Sequence, residues 1–145
     1  MSGTPQVVMA LDYGLRRLGV ANGDTLTRAA RPLATVAVTD QGPDWSALDR
    51  LVAQWGPARF VIGIPYNAEG QDSPLAVKVR AFAALVERRY GKPVDLLDEH
   101  LTSREAEDRL RERRASGRRQ RRVRHDDIDP VAAAVLLEQW LAQAG

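Results

Sequence analysis

Three apolar segments follow one another closely at the start of the chain, and their spacing restricts the fold more than any other feature. Residues 7–11 are continuously apolar, which is typical of a strand that is buried on both faces. The segments 18–21 and 34–38 follow after connections that are too short for parallel crossovers. The sequence therefore predicts an antiparallel meander of three strands.

Downstream of this meander, helical and strand patterns alternate, which predicts a mixed α/β fold whose later strands return through right-handed helical crossovers. Proline is tolerated in the first turn of a helix, so a Pro after an acidic residue is a suitable start for the last helix. The predicted elements are a helix between the breaks at 42–44 and 56–57, a strand at 60–64, a long helix after the loop 65–74, a strand at 94–97, a helix opening at Thr102, and a last helix opening at Asp129 and Pro130.

The composition, with 44% hydrophobic and 28% charged residues, is that of an ordinary folded protein. Given this length, we expect residues 1–145 to form a single domain. No apolar run reaches the roughly 18 residues that a membrane span needs. The first residues lack the basic region and apolar stretch of a signal peptide. The absence of cysteine excludes disulfides and thiolate metal sites. We therefore expect a cytoplasmic protein without membrane attachment.

Basic residues are concentrated in one segment, 109–124, which we call the arginine segment. It holds nine arginines and one acid, a local charge of +8, so the remainder of this +2 chain carries −6. The dipole at a helix C-terminus also favours cations, but the segment holds more arginines than this effect would explain. Arginine binds phosphate through a planar fork, which favours a nucleic-acid partner. The candidate contacts are Arg113, Arg114, Arg118, Arg119, Arg121, Arg122 and Arg124, together with Arg17 near the first strand.

Acidic residues stand at the ends of two predicted strands. Asp12 follows the first apolar strand, where a carboxylate loses hydration and needs hydrogen bonds, a countercharge or a metal ion. A turn role before Gly14 is the alternative. Asp98 and Glu99 follow the strand at 94–97, and because side chains alternate, we expect only one of them to face a given cleft. Two solvated acids at a strand end are the alternative, and the sequence supports it equally well.

A second group of acids, Asp126, Asp127 and Asp129, lies at the start of the last helix. Acids are favoured there by capping and by the helix dipole, so capping alone would explain any one of them. If both strand ends and this helix start meet at one edge of the sheet, three carboxylates converge and require a cation. Hard divalent ions such as Mg²⁺ and Mn²⁺ prefer such ligands.

Four motifs, in order along nearly the whole chain, resemble the YqgF/RuvX family. The first is ALDYG at 10–14 with RLGVA at 17–21, and the second is VIGIP at 61–65 with a following Gly and Pro. The third is DEHLTS at 98–103, and the fourth is Asp129 followed by paired alanines and paired leucines.

This resemblance implies an RNase H-like fold, with a five-stranded mixed sheet of order 3-2-1-4-5 flanked by helices. It places the catalytic, metal-binding carboxylates on Asp12, Glu99 and Asp129. It also implies a nuclease. Phosphodiester hydrolysis can be carried out by two ions, here Mg²⁺ or Mn²⁺, about 3.5–4 Å apart, and our hypothesis is that Asp12 bridges them. The family's two described roles are Holliday junction resolution and maturation of the 5′ end of 16S ribosomal RNA.

The chain departs from the family pattern in two places. His100 stands where Arg is common, so a phosphate contact there would depend on pH. Asp126 and Asp127 replace residues that are often Lys or apolar, and either could be a fourth metal ligand or a helix cap. For Asp127 we favour capping, and for Asp126 the roles of candidate metal ligand and cap both stay open. Tyr13 and Tyr66 are candidates to contact a base or sugar, although packing explains each equally well.

Three classes of function remain open from the sequence. The first is a metal-dependent nuclease acting on branched DNA or precursor rRNA, with a homodimer expected if it cuts four-way junctions symmetrically. The second is a binding module of the same fold that assists ribosome assembly or transcription. The third is an actin-like or sugar-kinase phosphate site, which is disfavoured because 145 residues cannot supply the two domains that enclose the nucleotide.

Overall fold

A computed structural model describes residues 5–65, 70–98 and 125–144, and within the last range it describes the side chains of residues 130–143. Six strands and three helices are formed by these residues. In chain order they are β1 (Val7–Tyr13), β2 (Arg17–Asp24), β3 (Ala30–Thr39), β4 (Gly42–Pro43), α1 (Trp45–Trp55), β5 (Arg59–Ile64), α2 (Pro74–Tyr90), β6 (Val94–Asp98) and α3 (His125–Ala144).

The strands form one mixed sheet in the order β4-β3-β2-β1-β5-β6. β1, β2 and β3 pair antiparallel, as their short connections predict, and β1, β5 and β6 pair parallel. The mixed α/β class and the order of the five long strands are confirmed. The predicted number of five strands is wrong, because Gly42 and Pro43 pair with Thr39 and Val38 and add a two-residue strand at the edge.

Each face of the sheet packs against different helices. One face carries the larger apolar cluster, in which Met9, Leu11 and Phe60 pack with residues of α1 and α2. The opposite face packs against α3 through smaller side chains, including Ala10 and Ala21. Because neighbouring residues of a strand point to opposite faces, the continuous apolar runs of β1 and β5 serve both clusters.

Local chemistry fixes the ends of the first two helices. The side chains of Asp44 and Ser73 accept hydrogen bonds from the backbone amides three residues later, so they cap α1 and α2. Gly56 and Gly91 end these helices in the left-handed conformation, with φ of 57° and 65°. The predicted breaks at these positions are confirmed.

The start of α3 differs from the prediction. The helix begins at His125, so Pro130 lies inside it rather than in its first turn. Pro130 is the sixth residue of this helix, and it lacks the amide that would bond to the carbonyl of Asp126. The helix therefore loses one hydrogen bond there, in addition to those that the first four amides of any helix lack. Among the described helices, none is long and apolar enough to span a membrane.

Candidate active site

The carboxyl ends of the parallel strands β1, β5 and β6 meet at one edge of the sheet. Leu11 is paired with Ile62, so Asp12 lies in the same row across the sheet as Gly63, which pairs with Leu97. Asp98 lies one row further and closes β6. The sequence predicted that the first strand and the strand at 94–97 end at one edge of the sheet. The register of β1, β5 and β6 agrees with this.

Asp12 belongs to the face of the sheet that α3 covers. Val8 and Ala10, which precede it at alternate positions in β1, both pack in the α3 cluster. Asp12 is half-buried at the penultimate position of β1, and it is opposite Gly19 of β2. A carboxylate in this position is removed from part of its hydration and held by a rigid strand, which is suitable for binding a cation.

Several predicted site residues lie outside the described residues, and their arrangement is therefore a prediction only. Glu99 follows the last residue of β6, and the α3 backbone includes Asp126, Asp127 and Asp129, which occupy its first turns. Of these acids no side chain is described. The same holds for His100, Tyr66 and the whole arginine segment.

Arg17 and Tyr13 are the two other predicted contacts that the structure describes. Arg17 begins β2 and is half-buried, with its backbone paired to Ala37 of β3. Between them the chain turns tightly, and the amide of Gly14 donates to the carbonyl of Arg17 at 2.8 Å. A Cβ at Gly14 would lie 3.0 Å from that oxygen, so a larger residue would open this turn.

An ion pair and a hydrogen bond that the sequence reasoning missed connect three elements on the same side of the sheet. Asp95 of β6 accepts from Arg59 of β5 at 2.9 Å and, through its other oxygen, from Nε1 of Trp140 of α3 at 2.8 Å. The sequence does hold a signal for this contact, which is an acidic residue inside an otherwise apolar strand. A carboxylate that loses hydration there needs hydrogen-bond or charged partners. This contact fastens α3, which carries Asp129, to the strand that leads to Glu99.

The chemistry of the donors fits a hard divalent cation. Asp12 supplies carboxylate oxygens, and cysteine is absent from the chain. Within the described ranges, no three acidic or histidine side chains come together to hold an ion. A complete ligand set would thus need Asp12 together with the predicted Glu99 and Asp129.

An α/β sheet of this order, with an acid at the carboxyl end of its central strand, defines an RNase H-like protein. Solved structures share that fold. Thermus thermophilus RuvC in complex with a Holliday junction substrate aligns with a TM-score of 0.53 at 21% identity, covering 97% of this chain and 96% of that one. The fowlpox virus resolvase bound to Holliday junction DNA gives a TM-score of 0.56 at 11% identity, covering 95% and 98%.

Sequence comparison identifies the family. The model of the family RuvX, described as Holliday junction resolvase, matches residues 6–143. A Xanthomonas campestris relative named "Putative pre-16S rRNA nuclease" is 44% identical over 135 residues, which cover 93% of this chain and 86% of the relative. A Xylella fastidiosa relative with that name is 43% identical over 136 residues, covering 94% and 87%. The chain belongs to the RuvX (YqgF) family, as its motifs indicated.

Proposed function

We propose that the protein is a divalent-metal-dependent endonuclease that hydrolyses phosphodiester bonds in nucleic acid. The observation that carries this proposal is Asp12, a half-buried carboxylate at the carboxyl end of the central strand in a chain of the RuvX family. The strand holds the acid at the edge where the parallel strands end.

The chain's own residues would divide the work. Asp12, Glu99 and Asp129 would hold the ions through their carboxylate oxygens. Two bound divalent ions supply an activated water and offset charge on the attacked phosphate. The arginine segment would bind the phosphates on either side of the scissile bond, because a site lined with carboxylates repels nucleic acid by itself.

Precursor 16S rRNA is the substrate that we favour. The relatives at 43–44% identity carry that substrate in their name, whereas the junction-bound structures are at most 21% identical and support the fold alone. Four-way DNA junctions are the second substrate to test, since the family model carries that description. We place this activity in the cytoplasm, where ribosomal RNA is processed in bacteria such as those of the two relatives.

The test is cleavage by purified protein with Mg²⁺ or Mn²⁺ on a precursor-rRNA 5′ fragment, a single-stranded RNA and a four-way DNA junction. We expect Asp12→Asn to lower the cleavage rate at least a hundredfold while the circular dichroism spectrum stays unchanged. Glu87→Gln is the matched control, because Glu87 is an exposed acid of α2 that lies outside the candidate site. Full metal-dependent cleavage by folded Asp12→Asn protein would refute the proposal.

Oligomeric state separates the two substrates. Symmetric cutting of a junction needs two active sites, so a stable homodimer with junction cleavage would favour a resolvase. A monomer that trims the rRNA fragment and spares the junction would favour rRNA processing. Sedimentation velocity on the same samples measures this directly.

A further inference from the structure

A cavity of about 970 Å³ opens beside the end of β1, on the face of the sheet that α1 and α2 cover. Its walls come from the turn after β1, the β3–β4 turn, the start of α1 and one side of α2. This volume is at the upper end of the roughly 300–1,000 Å³ found for small-molecule sites. None of the family motifs accounts for the β3–β4 turn or the α2 residues that line it.

One wall of the cavity is aromatic. The ring of Tyr13 lies 4.6 Å from that of Phe82, and the ring of Trp45 lies 5.8 Å from it, measured between centroids. Phe82 is buried, so it forms a fixed backing, and Tyr13 is only half-buried. Trp45 is also half-buried, but the guanidinium of Arg89 lies 4.9 Å from the centre of its ring, which leaves Tyr13 as the stacking surface. Rings that are backed on one side and accessible on the other are platforms on which nucleobases stack.

Two cations flank that wall. Arg16 from the turn after β1 and Lys78 from α2 both line the cavity and are exposed. Neither forms an ion pair within the described part of the chain, and Asp40 is the one acid in the described lining. The lining therefore carries an excess positive charge next to stacking surfaces, which is the chemistry that recognises a nucleotide.

The position of the cavity relates it to the candidate active site. Tyr13 follows Asp12 in β1, so their side chains lie on opposite faces of the same strand end. A nucleic-acid strand that crosses this sheet edge with a phosphate at Asp12 would bring a neighbouring nucleotide over the cavity. Leu15 and Leu85, exposed by 61% and 46%, line the cavity and offer apolar contact to that nucleotide.

We propose that this cavity binds one nucleotide of the substrate strand adjacent to the scissile bond, with its base against Tyr13 and its phosphate on Arg16 and Lys78. The proposal rests on the proposed function, because it assigns a subsite to the same substrate. It differs from that function in predicting binding that needs neither metal nor cleavage.

The first test is a titration of the isotope-labelled full chain with a five-nucleotide single-stranded RNA in the presence of EDTA, followed by NMR. The indole N–H of Trp45 is the reporter, since Trp45 lines the cavity. The indole signals of Trp55 and Trp140 are internal controls, because neither residue lines it. We expect the Trp45 signal to move with saturation while the other two stay in place.

The second test compares two charge-matched double variants. Arg16→Ala with Lys78→Ala removes the cavity cations, and Arg88→Ala with Lys92→Ala removes one exposed Arg and the only other Lys of the chain from positions outside the lining. We expect the cavity variant to bind the RNA at least tenfold more weakly. The slope of log affinity against log salt should fall by about 0.7, since the two cations share one phosphate and each single-strand phosphate contact contributes about 0.7.

The outcomes separate this proposal from the proposed function. Equal affinity and equal salt slope in the two double variants, or an unmoved Trp45 signal, would overturn the subsite even if the wild type cleaves normally. Uridine monophosphate that binds the cavity with the same affinity as the five-nucleotide RNA would also overturn the proposal. The cavity would then be a site for free nucleotides. A wild type that cleaves nothing but binds RNA at Trp45 would refute the nuclease and leave the nucleotide site standing.

Discussion

Nε1 of Trp140 donates a hydrogen bond of 2.8 Å to Asp95, and this contact joins the last helix to the edge strand of the sheet. Both residues are half-buried, and the other oxygen of Asp95 is paired with Arg59. Two predicted metal ligands, Asp129 and Glu99, belong to the chain segments that this contact connects. The strength of this contact between α3 and β6 therefore affects the candidate active site as well as the fold.

Trp140→Phe should lower the free energy of unfolding by about 1–2 kcal/mol, because a hydrogen bond to a charged acceptor is lost while most of the ring packing is kept. Trp55→Phe is the matched control, since Trp55 is also half-buried but its indole has no hydrogen bond within the described residues. Urea denaturation of both variants measures the difference. Equal losses in the two variants would show that the Asp95 contact contributes nothing beyond packing.

Asp49 should make stability depend on pH in the acid range. Arg89 donates two hydrogen bonds to its carboxylate, at 2.9 and 2.7 Å, and Tyr90 donates a third at 2.7 Å; these contacts lower the pKa of Asp49 to about 2. A lowered pKa in the folded state means that the stabilisation is present above pH 4 and is lost as the pH falls towards 2.

We expect Asp49→Asn to reduce stability at pH 7 by at most about 1 kcal/mol, since the pair is well exposed to solvent. The variant should also lose less stability than the wild type between pH 4 and 2. Thermal unfolding across that range, with Asp40→Asn as the control, checks both statements. Parallel curves for wild type and Asp49→Asn would contradict them.

Asn22 of β2 is a buried polar residue whose substitution should stabilise the protein. It is 8% exposed, and its Oδ1 is buried without a hydrogen-bond partner within the described residues. Asn22→Val removes that acceptor and supplies a β-branched side chain that suits a strand. We expect the free energy of unfolding to rise by about 1 kcal/mol.

Asn22→Asp is the control for which we expect the opposite change in stability, because its side chain has nearly the same shape as that of Asn. Burial would raise the pKa of the new carboxyl, so the variant should be destabilised at pH 7 and recover as the pH falls. Urea midpoints at pH 7 and pH 4 for the three proteins measure both effects. A Val variant that is less stable than the wild type would show that the amide has a partner or a role beyond packing.

Gly23 should tolerate no side chain, because the backbone between β2 and β3 lies directly against it and α3 lies nearby. A Cβ there would collide with the carbonyl oxygen of Ala29 and lie 3.2 Å from Cδ2 of Leu137. We expect Gly23→Ala to destabilise the fold by about 1–3 kcal/mol. Adding Leu137→Ala should not restore stability, since the collision with the backbone remains; recovery in the double variant, measured by thermal unfolding, would assign the cost to the helix contact instead.

The sequence predicted the sheet because its signals are local. Apolar runs and the short connections before Leu18 and Ala34 required an antiparallel meander, and Gly56 and Gly91 marked helix ends that the structure confirms. β4 was missed because two residues, Gly42 and Pro43, carry no periodicity. The early start of α3 was missed because Pro130 resembles a first-turn residue, although the helix accommodates it further in.

Long-range contacts were beyond the reach of sequence reasoning. Asp95 and Trp140 are separated by 45 residues, and no local pattern announces that their side chains meet. The cavity beside Tyr13 was equally hidden, because its walls come from four separate parts of the chain. The position of Asp12 at the carboxyl end of β1 was predictable, while its assembly with Glu99 and Asp129 remains a prediction.

The alternation of Asp12 and Tyr13 at one strand end has a consequence for how such proteins diverge. The acid faces the small-residue layer under α3, and the ring faces a separate cluster under α1 and α2. Substitutions that reshape the surroundings of the ring therefore need not disturb the packing that holds the acid. Under the two proposals made above, substitutions around the ring would change which nucleic acid is bound, while the proposed chemistry at Asp12 would stay the same.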